Sequence, residues 1–435
     1  MNHPALAPAP AKLFVEPTSR CNMRCRMCLR EAPGSVIPQA DLDPALFAAL
    51  SPLFSGLSQL VISGLGEPLL HPELAGLVAL ARRGMPDGAE IGLQSNALLL
   101  TEARATELLA AGLSSLCISV DSVSGAAACG EIHGAGQLRT LETAFAAVDA
   151  ARRRLRPEGL RLGVQFVLMA DTFTELPAVL DWAAARGADF ALVSHVLPYS
   201  AESLAQSLFN PNTGRSLELL ARFRRIAAAR GLDLDRAFAG FWTFRTTERQ
   251  RAEAELVKEM LAAALAEGVP CHLGQLLAWR ERAADALEAV LAEAEAVAAR
   301  TGLTLKLPAH VAATDRRCGF MEDGGMFVAA SGEVHPCYFQ WHEYDCRVGG
   351  AAVHVLPRTF GNLAARPALA IWNDPDYVAF RRQALGYDYP HCANCAAAPC
   401  SDIDGRPRPF EADCYGQTVP CGFCPWCTGG VQCLS

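Results

Sequence analysis

The sequence lacks any apolar run long enough to cross a bilayer, since every hydrophobic stretch breaks well short of about 20 residues; no membrane span is expected. It lacks a basic segment leading into an apolar one at its start, MNHPALAPAPAKLFVEP, so no secretory signal is read there and a cytoplasmic location is expected. It lacks a basic excess as well: 38 Lys and Arg stand against 46 Asp and Glu, a net charge of −8. That balance argues against nucleic acid as the main partner, because phosphate backbones select clustered basic residues. It does not argue against a protein or peptide. Cysteine is scarce through the middle, where only Cys117, Cys129 and Cys271 lie between Cys28 and Cys318.

Elsewhere cysteine is abundant. The chain of 435 residues has 17, three of them within residues 21–28 and eleven from Cys318 to Cys433. A cytosolic compartment does not sustain a disulfide scaffold, and thiols clustered there point to metal. The length suits two or three units. With 51% hydrophobic and 19% charged residues the chain can bury a large core, so global disorder is not expected.

From residue 12 to 205 short β-rich runs alternate with helical stretches. The runs are LFVEPTS (13–19), QLVISG (59–64), EIGLQS (90–95), SLCISV (115–120), LGVQFVLM (162–169) and DFALVSHV (189–196). Between them, stretches such as ELAGLVALARRG and ELPAVLDWAAARG close on glycine, as helix C-termini often do. This alternation predicts an α/β unit with a parallel sheet. Six βα units are too few for a closed eight-fold barrel and suit an open, partial one, with functional residues at the C-terminal ends of the strands. Residues 206–305, rich in Ala, Glu, Leu and Arg, read as a helical insertion or bridge, either a solvated scaffold or a lid over the substrate. Residues 306–435 are rich in Cys, Pro and Gly and offer little periodic structure, so bound metal would have to supply order there.

Cys21, Cys25 and Cys28 follow the first predicted strand with spacing C-x3-C-x2-C. Three thiolates can hold three corners of a [4Fe–4S] cluster and leave one iron open to a small molecule. The alternative, a zinc site, needs a fourth ligand, and no obvious histidine lies nearby. The spacing resembles the radical S-adenosylmethionine (SAM) superfamily. That resemblance implies SAM bound at the open iron, one-electron cleavage to methionine and a 5′-deoxyadenosyl radical, and hydrogen abstraction from a substrate. Met27 fits the family's apolar position before the third cysteine. Gly64-Leu65-Gly66-Glu67-Pro68, after the second strand, looks like the family's Gly-Gly-Glu-Pro segment, which contacts the SAM amino group. The two glycines would let backbone approach the ligand closely, and Glu67 would supply charge or acceptors. Asn96, Ser119 and Asp121, ending the third and fourth strands, are further cofactor-binding candidates at the mouth; Ala97 stands where the family often has glycine. His71 reads as a loop residue, and no catalytic acid or base stands out.

Cys318, thirteen residues, Gly332, four residues and Cys337 resemble the opening of the SPASM extension. The resemblance implies two auxiliary [4Fe–4S] clusters, which need eight thiolates. Cys318 and Cys337 are expected on one, Cys392, Cys395 and Cys400 mostly on the other, with Cys414, Cys421, Cys424 and Cys433 supplying the rest. Cys346 and Cys427 are the expected spares; zinc knuckles are the alternative. The usual spacing C-x2-C-x5-C-x3-C is broken, since Cys400 comes one residue early and Cys414 much later.

KLFVEPTSRCNMRCRMCLR, CGFMEDGGMFVAASGEVHPCYF, FGNLAARPALAIWNDPDYVAFRR, PHCANC and EADCYGQTVPCGFC together look like the radical SAM/SPASM proteins described as cofactor-modifying or maturase proteins of tungsten-containing aldehyde oxidoreductases. That group implies a radical maturase acting on a peptide, protein or cofactor and fed by an external one-electron reductant such as ferredoxin or flavodoxin. A ribosomal-peptide or sulfatase-type maturase is the second expectation. A non-catalytic iron–sulfur or zinc protein is the third, and it predicts no SAM turnover.

Overall fold

The computed structural model describes residues 3–124, 135–155, 159–241, 247–271, 276, 281–348, 351–390, 411–432 and 434. Six parallel strands lie side by side in chain order: β1 (Lys12–Val15), β2 (Gln59–Ile62), β3 (Glu90–Ser95), β4 (Ser115–Ser119), β5 (Arg161–Leu168) and β6 (Phe190–His195). Every residue of β2 and β6 is buried, the pattern of strands covered on both faces by crossover helices. From β2 to β6 the crossovers run through α1 (Leu74–Gly84), α2 (Glu102–Ala110), α3 (Ala135–Leu155) and α4 (Leu176–Ala184), while short helical turns at Pro44–Ala48 and Ser51–Phe54 lie between β1 and β2. In α1, Leu74, Leu77, Val78 and Ala81 form the apolar stripe that meets the sheet. The side chain of Thr101 caps α2 by accepting from the Arg104 amide. This is the expected partial barrel, and all six strands deliver their C-terminal ends to one rim.

The sheet extends beyond six strands at both edges. β7 (Thr304–Lys306) pairs parallel with β6, and on the other side β8 (Gly325–Val328) pairs parallel with β1, followed by antiparallel β9 (Glu333–His335) and β12 (Gly361–Asn362). β10 (Tyr344–Val348) and β11 (Ala351–Val355) form a separate hairpin.

The expected helical unit, 206–305, divides in two. Helices α5 (Gly214–Ala229), α6 (Leu234–Phe241) and α7 (Glu248–Ala266) enclose a core of their own around Leu219, Phe223, Leu256 and Met260. Helix α8 (Glu281–Thr301) instead buries Leu287, Leu291, Ala294 and Val297 in the main core, and its Arg300 pairs with Asp181 of α4 at 2.6 Å. With β7, it extends the edge of the sheet beyond β6. Periodicity marks both parts as helix, but it does not say which apolar face meets which core.

The C-terminal region also buries more than its composition suggests. Phe327, Tyr338 and Trp341 stack in mutual edge contacts, and Tyr338 meets Phe14 of β1. Arg381 lies over Trp372 and Tyr377 while its Nε donates to the Ala5 carbonyl at 2.7 Å, tying the start of the chain to the end. One continuous core therefore runs through barrel and C-terminal region. None of the described helices is long and apolar enough to cross a membrane.

Candidate active site

The segment from Glu16 to Ala40 leaves β1 at the rim and carries Cys21, Cys25 and Cys28 without regular helix or strand around them. Side chains shape it. Ser19 Oγ donates to the Pro38 carbonyl at 2.6 Å and accepts from the Ala40 amide at 2.8 Å. Asp41 accepts from Thr18 at 2.6 Å and from both arms of Arg20 at 2.9 and 2.7 Å. Burial opposes charge on Asp41, but these donors outweigh it and hold its carboxyl below the usual range. Within the loop the Cys28 amide donates to the Cys25 carbonyl at 2.9 Å, closing a backbone turn between the second and third cysteines.

Burial raises the Cys21 thiol and pushes Cys28 up to about 11, with the neighbouring cysteines adding to both shifts. Arg30 has its Nη1 buried with no hydrogen-bond partner, and its charge is felt by both Cys21 and Cys28. A half-buried arginine with an unsatisfied, buried Nη1 and three adjacent thiols are a donor set that an anionic thiolate cluster satisfies, so the residues fit the group. Among the described residues, no three His, Cys, Asp or Glu are grouped to hold a single metal ion.

The segment after β2 is locked onto this loop. A Cβ on Gly66 would lie 2.1 Å from the Thr18 carbonyl oxygen and 2.5 Å from that of Arg20. The Glu67 amide donates to the same Arg20 oxygen at 2.7 Å. A Cβ on Gly64 would meet the Glu16 side chain at 2.4 Å. The sequence suggested that these glycines make room for a ligand; what the structure shows them admitting is protein, the backbone and side chain of the cysteine loop. Glu67 is buried, and its carboxylate accepts from the Leu69 amide at 3.0 Å, Ser95 Oγ at 2.7 Å and the Asn96 amide at 2.8 Å. It braces the loop after β2 against the end of β3. Burial raises its pKa, and those three donors oppose the rise. Pro68 opens the short helical turn that Glu67 caps.

Asn96 closes the triangle. Its Nδ2 donates to Asn22 Oδ1 at 2.8 Å and lies 3.9 Å from Cys21 Sγ. Ala97 takes φ +61°, the left-handed region, which explains why glycine suits this position elsewhere. Asp121 accepts from the Val167 amide at 3.2 Å, joining the ends of β4 and β5. Ser119 ends β4 half-buried beside Gln165 of β5. His71 is buried in loop contacts, its Nε2 3.0 Å from the Leu42 carbonyl.

Sequence reasoning missed several polar groups of the rim. Gln94 and Gln165 bond to each other, and Ser63 approaches Gln94 at 3.4 Å, forming a row of half-buried or buried amides and hydroxyl across β2, β3 and β5. Glu175 gathers the Ser122 and Ser124 hydroxyls and the Val123 and Ser124 amides, at 2.8 to 3.1 Å. Arg26 of the cysteine loop pairs with Asp171 after β5. Alternation along β3 and β5 was the available signal for the glutamines; nothing local in sequence marks the pairs.

A second thiol group lies in the C-terminal region. Cys318, Cys337, Cys421, Cys424 and Cys427 line one cavity with Phe339 and Trp426, which encloses about 460 Å³ including its mouth. Burial raises all five thiols, Cys337 and Cys427 to about 12. Five convergent sulfurs in an apolar cavity again fit a thiolate-ligated cluster. Cys427, expected as a spare, sits with the other four. Cys346 is buried on β10 and Cys414 is exposed, both outside that lining. Cys392, Cys395, Cys400 and Cys433 lie outside the described residues.

Residues 15–183 match the radical SAM superfamily, and residues 318–396 match SPASM, an iron–sulfur cluster-binding domain. A tungsten-containing aldehyde ferredoxin oxidoreductase cofactor-modifying protein from Pyrococcus furiosus is 23% identical over 432 residues, covering 97% of this chain and 96% of that protein. A GTP 3′,8-cyclase from Caulobacter vibrioides is 32% identical over 187 residues, 42% of this chain and half of that one. The solved Streptococcus suis SuiB bound to S-adenosylmethionine is 11% identical, with 89% of this chain and 71% of that one covered at a TM-score of 0.49. The three-cysteine loop at the head of a parallel sheet and the two sequence matches agree: this chain is a radical SAM superfamily enzyme with a SPASM region, and its cofactors are S-adenosylmethionine and [4Fe–4S] clusters.

Proposed function

We propose that this enzyme is a maturase of the tungsten–aldehyde oxidoreductase cofactor type, modifying a peptide, protein or cofactor, with Cys21, Cys25 and Cys28 as ligands of the cluster that binds SAM. When bound, cluster and SAM would supply one-electron chemistry, fed by an external reductant, for removing a hydrogen atom from the substrate.

The chain's own residues prepare that site. The loop Gly64–Pro68, together with Asn96, Ser119 and Asp121, is assigned to SAM. Glu67 holds the loop by three hydrogen bonds, so its backbone is fixed before the ligand arrives. Asn96 sets the distance between that loop and Cys21. The Arg26–Asp171 pair tethers the cysteine loop to the far side of the rim, and the Gln94–Gln165 row offers polar groups inside the barrel. Four of Cys318, Cys337, Cys421, Cys424 and Cys427 suffice for one auxiliary cluster, with Cys392, Cys395, Cys400 and Cys433 assigned to a second.

The observation that carries the reading is the interlock of the cysteine loop with the Gly66–Glu67 segment at the sheet's C-terminal rim. Support for the client comes from the Pyrococcus furiosus protein, whose likeness spans both halves of the chain, whereas the cyclase matches less than half. The test is anaerobic reconstitution, iron and sulfide counts, and 5′-deoxyadenosine formation with SAM and a one-electron reductant, with and without the aldehyde oxidoreductase components. Stimulation or modification of those components is the expected result. Deoxyadenosine formed equally with and without them, and no change in their mass, would remove the client assignment.

A further inference from the structure

Glu16 is the first residue after β1 and is fully buried. Its carboxylate faces two different loops. Oε1 accepts from the Leu65 amide, in the segment between Gly64 and Gly66, at 2.9 Å. Oε2 accepts from the Ala330 amide, in the turn between β8 and β9, at 3.3 Å, and His342 Nε2 stands 3.4 Å away. The Glu16 amide donates to the Val328 carbonyl at 2.9 Å, so backbone and side chain hold the same turn. Gly64 has no Cβ because the Glu16 side chain fills that space.

A buried carboxylate is expensive unless its oxygens are satisfied, and here two backbone amides from distant segments satisfy it. Moving either loop therefore strands part of that charge. The turn beyond Ala330 leads through β9 directly to Cys337, which lines the five-thiol cavity. The carboxylate thus bridges the loop assigned to SAM and the strand that presents an auxiliary cysteine.

We propose that Glu16 is a positioning residue coupling the Gly64–Pro68 loop to the turn at 329–332, so that SAM binding stiffens the turn that leads to Cys337. This rests on the reading that the Gly64–Pro68 loop holds SAM. The coupling is reciprocal, so whatever loosens the turn weakens SAM binding by the same factor.

The test is hydrogen–deuterium exchange on the anaerobically reconstituted enzyme with and without SAM, alongside SAM affinity by equilibrium dialysis. In the wild type, SAM slows exchange both at 63–67 and at 328–334. Glu16→Gln keeps the size but turns an NH2 group towards one of the amides. It is expected to retain protection at 63–67, lose it at 328–334, and bind SAM roughly tenfold more weakly. Glu16→Asp keeps the charge but cannot reach both loops, and should fall between. Protection at 63–67 without any at 328–334 in the wild type overturns the coupling and leaves the SAM assignment standing; this result needs no variant to fold. SAM bound with no protection at 63–67 overturns the assignment itself. Wild-type SAM affinity in a folded Glu16→Gln enzyme also overturns the proposal.

Discussion

Replacing Gly66 by alanine adds one methyl group at the point where the Gly64–Pro68 loop crosses the cysteine loop. That carbon would start 2.1 Å from the Thr18 oxygen, 2.5 Å from the Arg20 oxygen and 2.7 Å from the Thr18 carbonyl carbon. All three are backbone atoms, so no side chain can swing aside. Ordinary contact needs about 3.5 Å, and the two loops must therefore separate by roughly 1 Å or more. Overpacking of this kind costs about 1–3 kcal/mol. Stretching the 2.7 Å bond from the Glu67 amide to the Arg20 carbonyl removes about 1 kcal/mol more. A 1 Å misplacement of reacting groups can lower a rate by about 100-fold. Gly66→Ala is accordingly expected to lose about 2–4 kcal/mol of stability and to form 5′-deoxyadenosine about 100-fold more slowly. Gly76→Ala is the control: it lies on the exposed face of α1 with nothing within 4 Å of its Cβ position, and it should gain a fraction of a kcal/mol from helix propensity. Thermal unfolding, iron content and a deoxyadenosine assay on reconstituted protein decide the matter. A Gly66→Ala enzyme with unchanged SAM affinity and turnover would refute the interlock as the basis of the site.

Glu67→Gln keeps the size but sets an NH2 group against one of three donors, and should cost about 1–3 kcal/mol while weakening SAM binding; thermal unfolding and dialysis measure both. Replacing Cys424 and Cys427 together by alanine leaves three thiols in the cavity and should lower the iron count of the reconstituted chain, whereas Cys414→Ala should leave that site loaded, since Cys414 lies outside the lining; equal iron in both would remove the cluster from that cavity. Ala97→Gly removes left-handed strain worth about 1–2 kcal/mol. It also loses about 0.8 kcal/mol of methyl burial and adds unfolded-chain entropy of roughly 0.5–1 kcal/mol, so its melting temperature should stay near wild type. His195, at the end of β6, is held neutral by burial, its pKa pushed down to about 4 from 6.5. The unfolded chain then binds a proton that the folded chain refuses, so this contribution is full above pH 6.5 and is lost as pH falls towards 4. His195→Leu should flatten the fall of melting temperature over that range, and an unchanged slope would count against it.

The alternation of apolar runs and helices between residues 12 and 205 made the parallel sheet legible, because each unit is local and its period is carried by neighbouring residues. The edges were not legible. Nothing near Gly325 says that its partner is Lys12, 313 positions earlier. The same limit applies to the site. Cys21, Cys25 and Cys28 declare themselves by spacing, since one loop holds all three. Cys427 does not, because the cavity it shares is assembled from segments about a hundred residues apart, from Cys318 to Cys427. Gly66 and Glu67 also make contacts that spacing alone does not foretell. From sequence, glycine at the end of a strand reads as room for a ligand and glutamate as a hand extended to it. In the fold, the missing Cβ admits the Thr18 and Arg20 backbone, and the carboxylate turns inward to Leu69, Ser95 and Asn96. These contacts join the loop that holds the thiols to the loop assigned to SAM. Conservative substitutions there should therefore change the positioning of both loops together, and iron loading and SAM affinity should fall in the same variants rather than in separate ones.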